Sequence, residues 1–221
     1  MPLIFDVYGT LLDVDAAASK TAEKHPSFAE HWADVSAAWR HRQLSYSWLR
    51  SLMGRYTSFW QITMDALDVT LDEMGINEPQ LRQHLLDLYY QLPAYDEVAA
   101  QLSAMSAKGH ALGVLSNGSP DMLAGGLTSA GIYDQLDHVL SVDSLNCYKP
   151  DPRVYEMVLK AFDCTAEQVT FFSSNNWDIA GAGSFGFRTI WVNRGGKTWD
   201  DLPEPPTHIV SSLAEAVRLI D

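Results

Sequence analysis

Short, almost wholly apolar segments recur along the chain and are separated by longer stretches of mixed polarity. Apolar runs bounded by polar residues are typical of strands buried in a sheet. The first run, Leu-Ile-Phe at residues 3–5, ends at Asp6. Strands alternating with helices predict an α/β fold with a mostly parallel sheet and right-handed crossovers. The later predicted strands are residues 111–115, 139–142, 169–172, 189–192 and 208–210.

Between about residues 14 and 95 the apolar positions instead repeat every three or four residues, as on one face of a helix. An Asn-Glu-Pro sequence at 77–79 marks one helix start. Because the first strand belongs with the later ones, we predict a core domain formed by residues 1–13 and 96–221. Residues 14–95 would be an inserted helical cap over the strand ends. The three apolar series are Phe28, Trp32, Val35 and Trp39; Tyr56, Trp60, Met64 and Leu67; and Leu81, Leu85 and Leu88.

Composition narrows the classes of function. The 221 residues suffice for one sizeable core with a smaller appendage. A net charge of −13 disfavours nucleic-acid or anionic-membrane partners, and means that an anionic substrate needs locally placed positive charge. No apolar run reaches about 18 residues, so no membrane span is expected. Cys147 and Cys164 show neither metal-site spacing nor a disulfide framework, which favours a cytoplasmic location.

Polar side chains follow several of the predicted strands. The carboxyl ends of parallel strands meet at one edge of a sheet, where such folds bind ligands. Polar groups at several strand ends therefore predict a functional site. These residues are Asp6 and Thr10 after the first strand, Ser116 and Asn117 after 111–115, and Ser173, Asn175 and Asp178 after 169–172, with Lys149 in an intervening loop.

Four segments carry a resemblance to a known family. DVYGTLLD, SNG, YKPDP and FFSSNNWD occur in the order of the four motifs of the haloacid dehalogenase superfamily. With the helical region after the first motif, the whole chain resembles this superfamily, and most closely its L-2-haloacid dehalogenase branch. The resemblance implies a Rossmann-like three-layer core with an inserted helical cap. It also implies hydrolysis of a short (S)-2-haloacid to an (R)-2-hydroxyacid, or of a haloacetate to glycolate.

Two positions depart from the phosphatases of the superfamily. Tyr8 stands where they carry a second acid, and Ser173 stands where they carry a metal-binding acid. Asp6 and Asp178 alone supply a Mg²⁺ site poorly, because Mg²⁺ prefers several oxygen ligands in near-octahedral geometry. We therefore predict an enzyme without a metal or another cofactor.

The resemblance also implies a role for each motif residue. Asp6 would displace halide from the substrate's α carbon and form an ester, which a water molecule then hydrolyses. Asp178 would be the base for this water, oriented by Ser173 and Asn175. Lys149 would offset the negative charge between the two carboxylates, and Thr10 would form a hydrogen bond with Asp6. Arg40, Asn117 and Trp177 would surround the halide, while Ser116 and backbone N–H groups near Leu11 would bind the substrate carboxylate. Tyr155 would lie near Lys149. The apolar wall would be formed by Tyr8, Leu44, Phe59 and Trp177.

Several alternatives stay open. Arg40 has Arg42 and Arg50 as neighbours and could be solvated, while Phe59 and Tyr155 could be packing residues. Close relatives often have Gln where this chain has His41. The GxGxxG pattern at residues 181–186 lies well inside a predicted helix, so helix packing explains it better than dinucleotide binding. Other functions are azetidine-2-carboxylate ring opening, phosphatase activity and non-catalytic binding. By analogy with relatives, we expect a homodimer.

Overall fold

The computed structural model describes residues 1–220 and contains one six-stranded sheet in that range. Its order is β3-β2-β1-β4-β5-β6, and every neighbouring pair is parallel. The first strand thus lies in the centre, where the strand order reverses, and such a switch point forms a crevice at the carboxyl ends of the strands. The strands are β1 (Pro2–Phe5), β2 (Ala111–Ser116), β3 (His138–Ser141), β4 (Thr170–Ser173), β5 (Arg188–Val192) and β6 (His208–Val210).

The helices follow the order expected from the sequence. Four of them lie between β1 and α5, and the others alternate with strands. Within the first group, α2 packs against α3, and α1 packs against α4. The helices are α1 (Ala16–Lys24), α2 (Trp32–Leu52), α3 (Phe59–Glu73), α4 (Pro79–Tyr89), α5 (Val98–Ala107), α6 (Pro120–Ser129), α7 (Pro152–Phe162), α8 (Asn176–Phe185) and α9 (Leu213–Ala216).

The first two apolar series cross element boundaries. Phe28 lies in a separate 3₁₀ turn, Pro26–Phe28, and α2 begins only at Trp32. Pro26 explains why α1 ends before this turn, because a proline disfavours helical geometry in the residue before it, His25. Tyr56 likewise precedes α3. The predicted start of α4 at Pro79 is confirmed.

The two ends of the 14–95 segment meet directly after the Asp6 turn. Leu12 and Ala94 form an antiparallel bridge. The Asp13 N–H donates to the Pro93 carbonyl at 2.9 Å, and the Tyr95 N–H donates to the Leu11 carbonyl at 3.1 Å. An insertion requires adjacent ends of this kind, whereas the exact division into core and cap stays a prediction.

The centre of the sheet is packed so that the end of β1 is fixed. Leu3, Ile4 and Phe5 are completely buried, and the Phe5 ring stacks on that of Phe172 at 4.7 Å. The Asp6 N–H donates to the Phe172 carbonyl at 2.8 Å, so the ladder extends as far as the carboxylate. Within residues 1–220, no helix is both long and apolar enough to cross a bilayer.

The GxGxxG pattern serves helix packing. Gly181 lies in α8, and a Cβ placed there would be 2.5 Å from the Tyr155 hydroxyl oxygen and 2.6 Å from the Pro150 Cβ. Only a glycine fits such a close approach without a shift of its neighbours. The pattern therefore lets α8 approach α7 and the loop before it.

Candidate active site

Asp6 is the centre of the site at the tip of β1, and its side chain is almost fully buried. Oδ1 accepts one hydrogen bond, from Lys149 Nζ at 3.1 Å. Oδ2 accepts hydrogen bonds from Asn175 Nδ2 at 2.9 Å, Thr10 Oγ1 at 3.0 Å and Ser173 Oγ at 3.4 Å. The two oxygens of this carboxylate therefore differ in their surroundings.

The turn after Asp6 brings the first and fourth motifs together. Gly9 has φ +86°, which favours glycine, and a Cβ there would lie 3.2 Å from Ser174 Oγ. Thr10 Oγ1 accepts a hydrogen bond from the Ser174 N–H at 2.8 Å. Thr10 thus couples the β1 turn to the β4 turn while it holds Asp6.

Lys149 joins the two carboxylates. Its side chain is completely buried, and Nζ lies 3.1 Å from Asp6 Oδ1 and 2.8 Å from Asp178 Oδ2. Burial by itself lowers the pKa of Lys149, but the charges of Asp178 and Asp6 raise it above the usual value. The ammonium group is therefore charged and compensates part of the buried negative charge.

Asp178 is held through both oxygens. Lys149 donates to Oδ2, and the Tyr155 hydroxyl donates to Oδ1 at 2.8 Å. The pKa of Asp178 is raised to about 6, because burial and the Asp6 charge raise it by more than Lys149 and the Tyr155 hydrogen bond lower it. A carboxylate with this pKa is ionised at neutral pH and is basic enough to accept a proton from water.

A narrow cavity of about 10 Å³, which is room for about one water molecule, lies over Asp6. Residues from α2 and α3 form part of its wall, and residues that follow β1, lie at the end of β2 or lie in α8 form the rest. The structure thus brings eight of the sequence-predicted residues into one wall. They are Asp6, Tyr8, Arg40, Leu44, Phe59, Ser116, Asn117 and Trp177.

Of the three candidate arginines, Arg40 reaches the cavity. Its Nη2 donates to the Tyr8 carbonyl at 3.2 Å. Arg42 instead pairs with Glu73, and Arg50 pairs with Asp65. Of these three arginines of α2, Arg40 is therefore the one whose charge lies in the same cavity as Asp6.

Two residues at the end of β2, Ser116 and Asn117, each keep donor capacity toward the cavity. Asn117 Oδ1 accepts the Lys149 N–H at 3.0 Å, so the amide oxygen is engaged and the amide NH₂ group is available for another acceptor. Ser116 Oγ accepts the Gly118 N–H at 3.1 Å, and its hydroxyl can still donate. Both are suited to binding an anion.

Leu11 does not reach the cavity. Its N–H donates to the Val7 carbonyl at 2.9 Å, which also accepts from the Thr10 and Leu12 N–H groups. The turn that positions Asp6 already uses the Leu11 N–H. The expectation that backbone N–H groups near Leu11 bind a substrate carboxylate stays a prediction. Tyr155 also lies outside the cavity wall and reaches Asp178 from α7.

Three side chains that pack against or hold the site residues were not predicted from the sequence, namely Tyr89, Gln43 and Trp48. The Tyr89 ring stacks on Tyr8 at 5.7 Å, and its hydroxyl donates to Gln43 Oε1 at 3.3 Å. Trp48 meets the Trp177 ring edge-on at 5.4 Å. The apolar series on α4 ends near Tyr89, but helical spacing does not tell which aromatic residue faces a site.

The donor set does not resemble a metal site. Across residues 1–220, no group of three or more His, Cys, Asp or Glu side chains is placed to hold a metal ion. The Lys149 ammonium lies between the two carboxylates, where it supplies positive charge itself.

Comparisons with known proteins agree with this geometry. Residues 3–186 match the family model of haloacid dehalogenase-like hydrolases. The chain is 45% identical to (S)-2-haloacid dehalogenase 1 of Pseudomonas sp. (strain CBS-3) over 98% of this chain and 95% of that protein. It is 36% identical to haloacetate dehalogenase H-2 of Moraxella sp. (strain B), over 99% and 96%.

A solved structure gives the same result. The L-2-haloacid dehalogenase from Xanthobacter autotrophicus with chloropropionic acid covalently bound is 32% identical to this chain. The two superpose with a TM-score of 0.89 over 99% of this chain and 97% of the other. The chain therefore belongs to the haloacid dehalogenase-like hydrolases, in the L-2-haloacid dehalogenase branch.

Proposed function

We propose that this protein hydrolyses short (S)-2-haloacids to (R)-2-hydroxyacids, or haloacetates to glycolate, through an ester on Asp6. The observation that carries the proposal is the placement of a buried Asp6–Lys149–Asp178 cluster beneath a small cavity whose opposite wall contains Arg40. The narrowness of this cavity favours a short acid over a longer one. The nucleophile, a base and a halide-binding cation are all present.

In the first step, Asp6 Oδ1 attacks the α carbon, and the halide leaves from the opposite side with the bonding electron pair. Oδ1 is the more reactive oxygen because it has one donor, whereas three donors hold Oδ2. Arg40 and the Asn117 amide stabilise the departing halide, since preorganised donors stabilise developing charge in a site from which water is excluded. Back-side attack inverts the α carbon.

In the second step, water attacks Cγ of the Asp6 ester and Asp178 accepts the water proton. The carbonyl oxygen is then Oδ2, and Thr10, Ser173 and Asn175 donate to the negative charge that develops on it. The bond between Cγ and Oδ1 breaks, and Oδ1 takes the proton from Asp178 and leaves as the product hydroxyl. The oxygen from water stays on Asp6, whose carboxyl group releases the second water proton to solvent.

We also propose that neither step needs a metal ion. The support is chemical, because Lys149 lies between the two carboxylates. In addition, an uncharged tyrosine, Tyr8, stands two residues after the nucleophile, where phosphatases carry a second acid. Burial raises the pKa of Tyr8 well above its usual value, so its hydroxyl stays neutral. Activity that is unchanged by a chelator is the expected result, and restoration by Mg²⁺ after chelation would contradict it.

The test of the proposal is halide release from both enantiomers of 2-chloropropionate, with chiral analysis of the product. In a single turnover in ¹⁸O-water, the label should enter Asp6 before it enters the hydroxyacid. Asp6→Asn should abolish halide release. Asp13→Asn should retain it, because Asp13 lies in the same motif but its Oδ1 accepts a hydrogen bond from the Asp15 N–H. Turnover by Asp6→Asn, or label only in the product, would contradict an ester on Asp6.

We further propose that the protein is a homodimer, and location in the cytoplasm stays a prediction. Support for a dimer comes from adjacent exposed apolar side chains at the end of α2, namely Leu49, Leu52 and Met53. Leu52 is 85% exposed. Sedimentation of the wild type and of Leu52→Glu at several concentrations should give a dimer and a monomer, respectively. A monomeric wild type would contradict the proposal.

A further inference from the structure

A second, larger opening adjoins the reaction cavity. It is an open groove of about 560 Å³, and Arg40 and Leu44 line both spaces. Asn175, which donates to Asp6, also lines the groove. Exposed residues, His41 and Lys197, lie along its outer part. The groove therefore runs from solvent to the side chains that contact Asp6 and enclose the reaction cavity.

The charge of this groove is opposite to that of the chain. Its lining includes Arg40, Arg194 and Lys197, with His41 beside them, whereas Asp15 is the one carboxylate among the lining residues described in residues 1–220. The chain as a whole has a net charge of −13. A groove of one sign, bounded by low-dielectric walls, concentrates ligands of the opposite sign.

Arg194 is committed to the structure. Its Nη1 lies 2.6 Å from Glu97 Oε1, Nη2 donates to the Thr10 carbonyl at 3.0 Å, and the guanidinium lies 3.8 Å from the centre of the Tyr95 ring. Glu97 therefore compensates much of its charge. The charge of Arg194 is less available to an incoming ligand than that of an unpaired side chain.

Lys197 is better placed to act on an incoming anion. It is exposed, and among residues 1–220 no carboxylate lies within 4.0 Å of its ammonium group. Its backbone is held in place by Asn193, whose Oδ1 accepts the Lys197 N–H and whose Nδ2 donates to the Lys197 carbonyl, both at 2.8 Å. Gly196, with φ +60°, allows the tight turn between them.

We infer that this groove is the entrance for the anionic substrate and that Lys197 attracts the carboxylate into it. The inference rests on the proposed function, because it concerns a 2-haloacid anion. Lys197 is not among the residues around Asp6, so its charge should act on substrate capture and leave the chemical steps unchanged. A long-range effect of this kind weakens when the Debye length falls, from about 30 Å at 0.01 M salt to a few ångströms near 1 M.

The experiment compares Lys197→Arg, Lys197→Gln and Lys197→Glu at low and high concentrations of a non-halide salt. With 2-chloropropionate at low salt, we expect kcat/KM to fall about 2–5-fold in Lys197→Gln and about 5–20-fold in Lys197→Glu. Lys197→Arg should match the wild type, kcat should stay the same in all three, and high salt should remove the differences. Lys160→Glu is the matched control, because it makes the same charge change on α7.

The inference would be overturned by equal kcat/KM for Lys197→Glu and Lys160→Glu at low salt, or by a loss in Lys197→Glu that persists at high salt. Propionate provides a test without turnover, since it carries the carboxylate and no halogen. Calorimetry at low salt should show weaker propionate binding to Lys197→Glu than to Lys160→Glu. Equal binding would also overturn the inference. A wild type that binds propionate in this charge-dependent way but releases no halide would count against the proposed function alone.

Discussion

The Tyr155 hydroxyl donates to Oδ1 of Asp178, the oxygen that Lys149 does not contact. The pKa of Asp178 is raised to about 6, chiefly by burial, and the hydrogen bonds from Lys149 and Tyr155 keep it below what burial alone would give. Tyr155 therefore keeps the base ionised at neutral pH. Its own pKa is well above the usual value because of burial and the neighbouring carboxylates, so the hydroxyl keeps its proton.

This contact predicts a shifted pH profile for Tyr155→Phe. Loss of a hydrogen bond to the charged form should raise the pKa of Asp178, so the acidic limb of kcat should move to higher pH. The wild-type limb should lie near pH 6, and the variant should approach wild-type activity in more alkaline buffer. Tyr148→Phe is the control, because that buried hydroxyl donates to the Thr57 carbonyl. An unshifted limb in Tyr155→Phe would mean that Tyr155 only packs.

Asp178→Asn should separate the two chemical steps. Asp6 can still displace halide, but the base for ester hydrolysis is lost, a change that typically costs about 10²–10⁴-fold in rate. We expect a burst of one halide per active site and an ester retained on the peptide that contains Asp6, detected by mass spectrometry. Asp151→Asn, which alters the cap of α7, should turn over without retained ester. Steady turnover by Asp178→Asn would remove it as the base.

The sequence predicted the sheet side of the site well. Asp6 follows a buried strand, Ser116 and Ser173 are the last residues of two others, and parallel strands necessarily bring such residues to one edge. The helical side was less predictable. Spacing on α2 does not distinguish Arg40 from Arg42, because tertiary packing sets the rotation of the helix.

The sequence also could not predict the backbone hydrogen bonds at the site. In the turn after Asp6, the Leu11 N–H donates to the Val7 carbonyl. The residue types in a turn do not determine which of its N–H groups form such bonds. Similarly, no pattern in YKPDP indicates that Lys149 is completely buried between two carboxylates. That placement depends on three separate elements that converge in the fold.

Lys149→Met should destabilise the protein by about 3–5 kcal/mol, because it leaves two buried carboxylates without their cation. Removal of Lys149 also raises the folded-state pKa of Asp178 further above its unfolded value. Such a group opposes folding above its folded pKa, and the penalty shrinks as pH falls through that pKa. Urea unfolding should therefore show a larger deficit at pH 8 than at pH 5.

The control for this stability measurement is Lys160→Met. Lys160 forms an exposed pair with Glu156, and such pairs contribute about 0–1 kcal/mol. Its removal should have little effect at either pH. A deficit in Lys149→Met that is the same at pH 5 and pH 8 would show that lost packing, and not the charge of the carboxylates, causes the destabilisation.

Arg40→Lys should slow halide departure. A lysine keeps the charge but loses the planar fork with which Arg40 can reach the Tyr8 carbonyl and a halide together. Chloride is a poorer leaving group than bromide, so it depends more on this support. We expect kcat to fall about 10²-fold with 2-chloropropionate and less with 2-bromopropionate. Arg42→Lys, two residues along α2 and paired with Glu73, should change neither rate. Equal losses for both halogens would assign Arg40 to carboxylate binding, because the carboxylate is common to the two substrates.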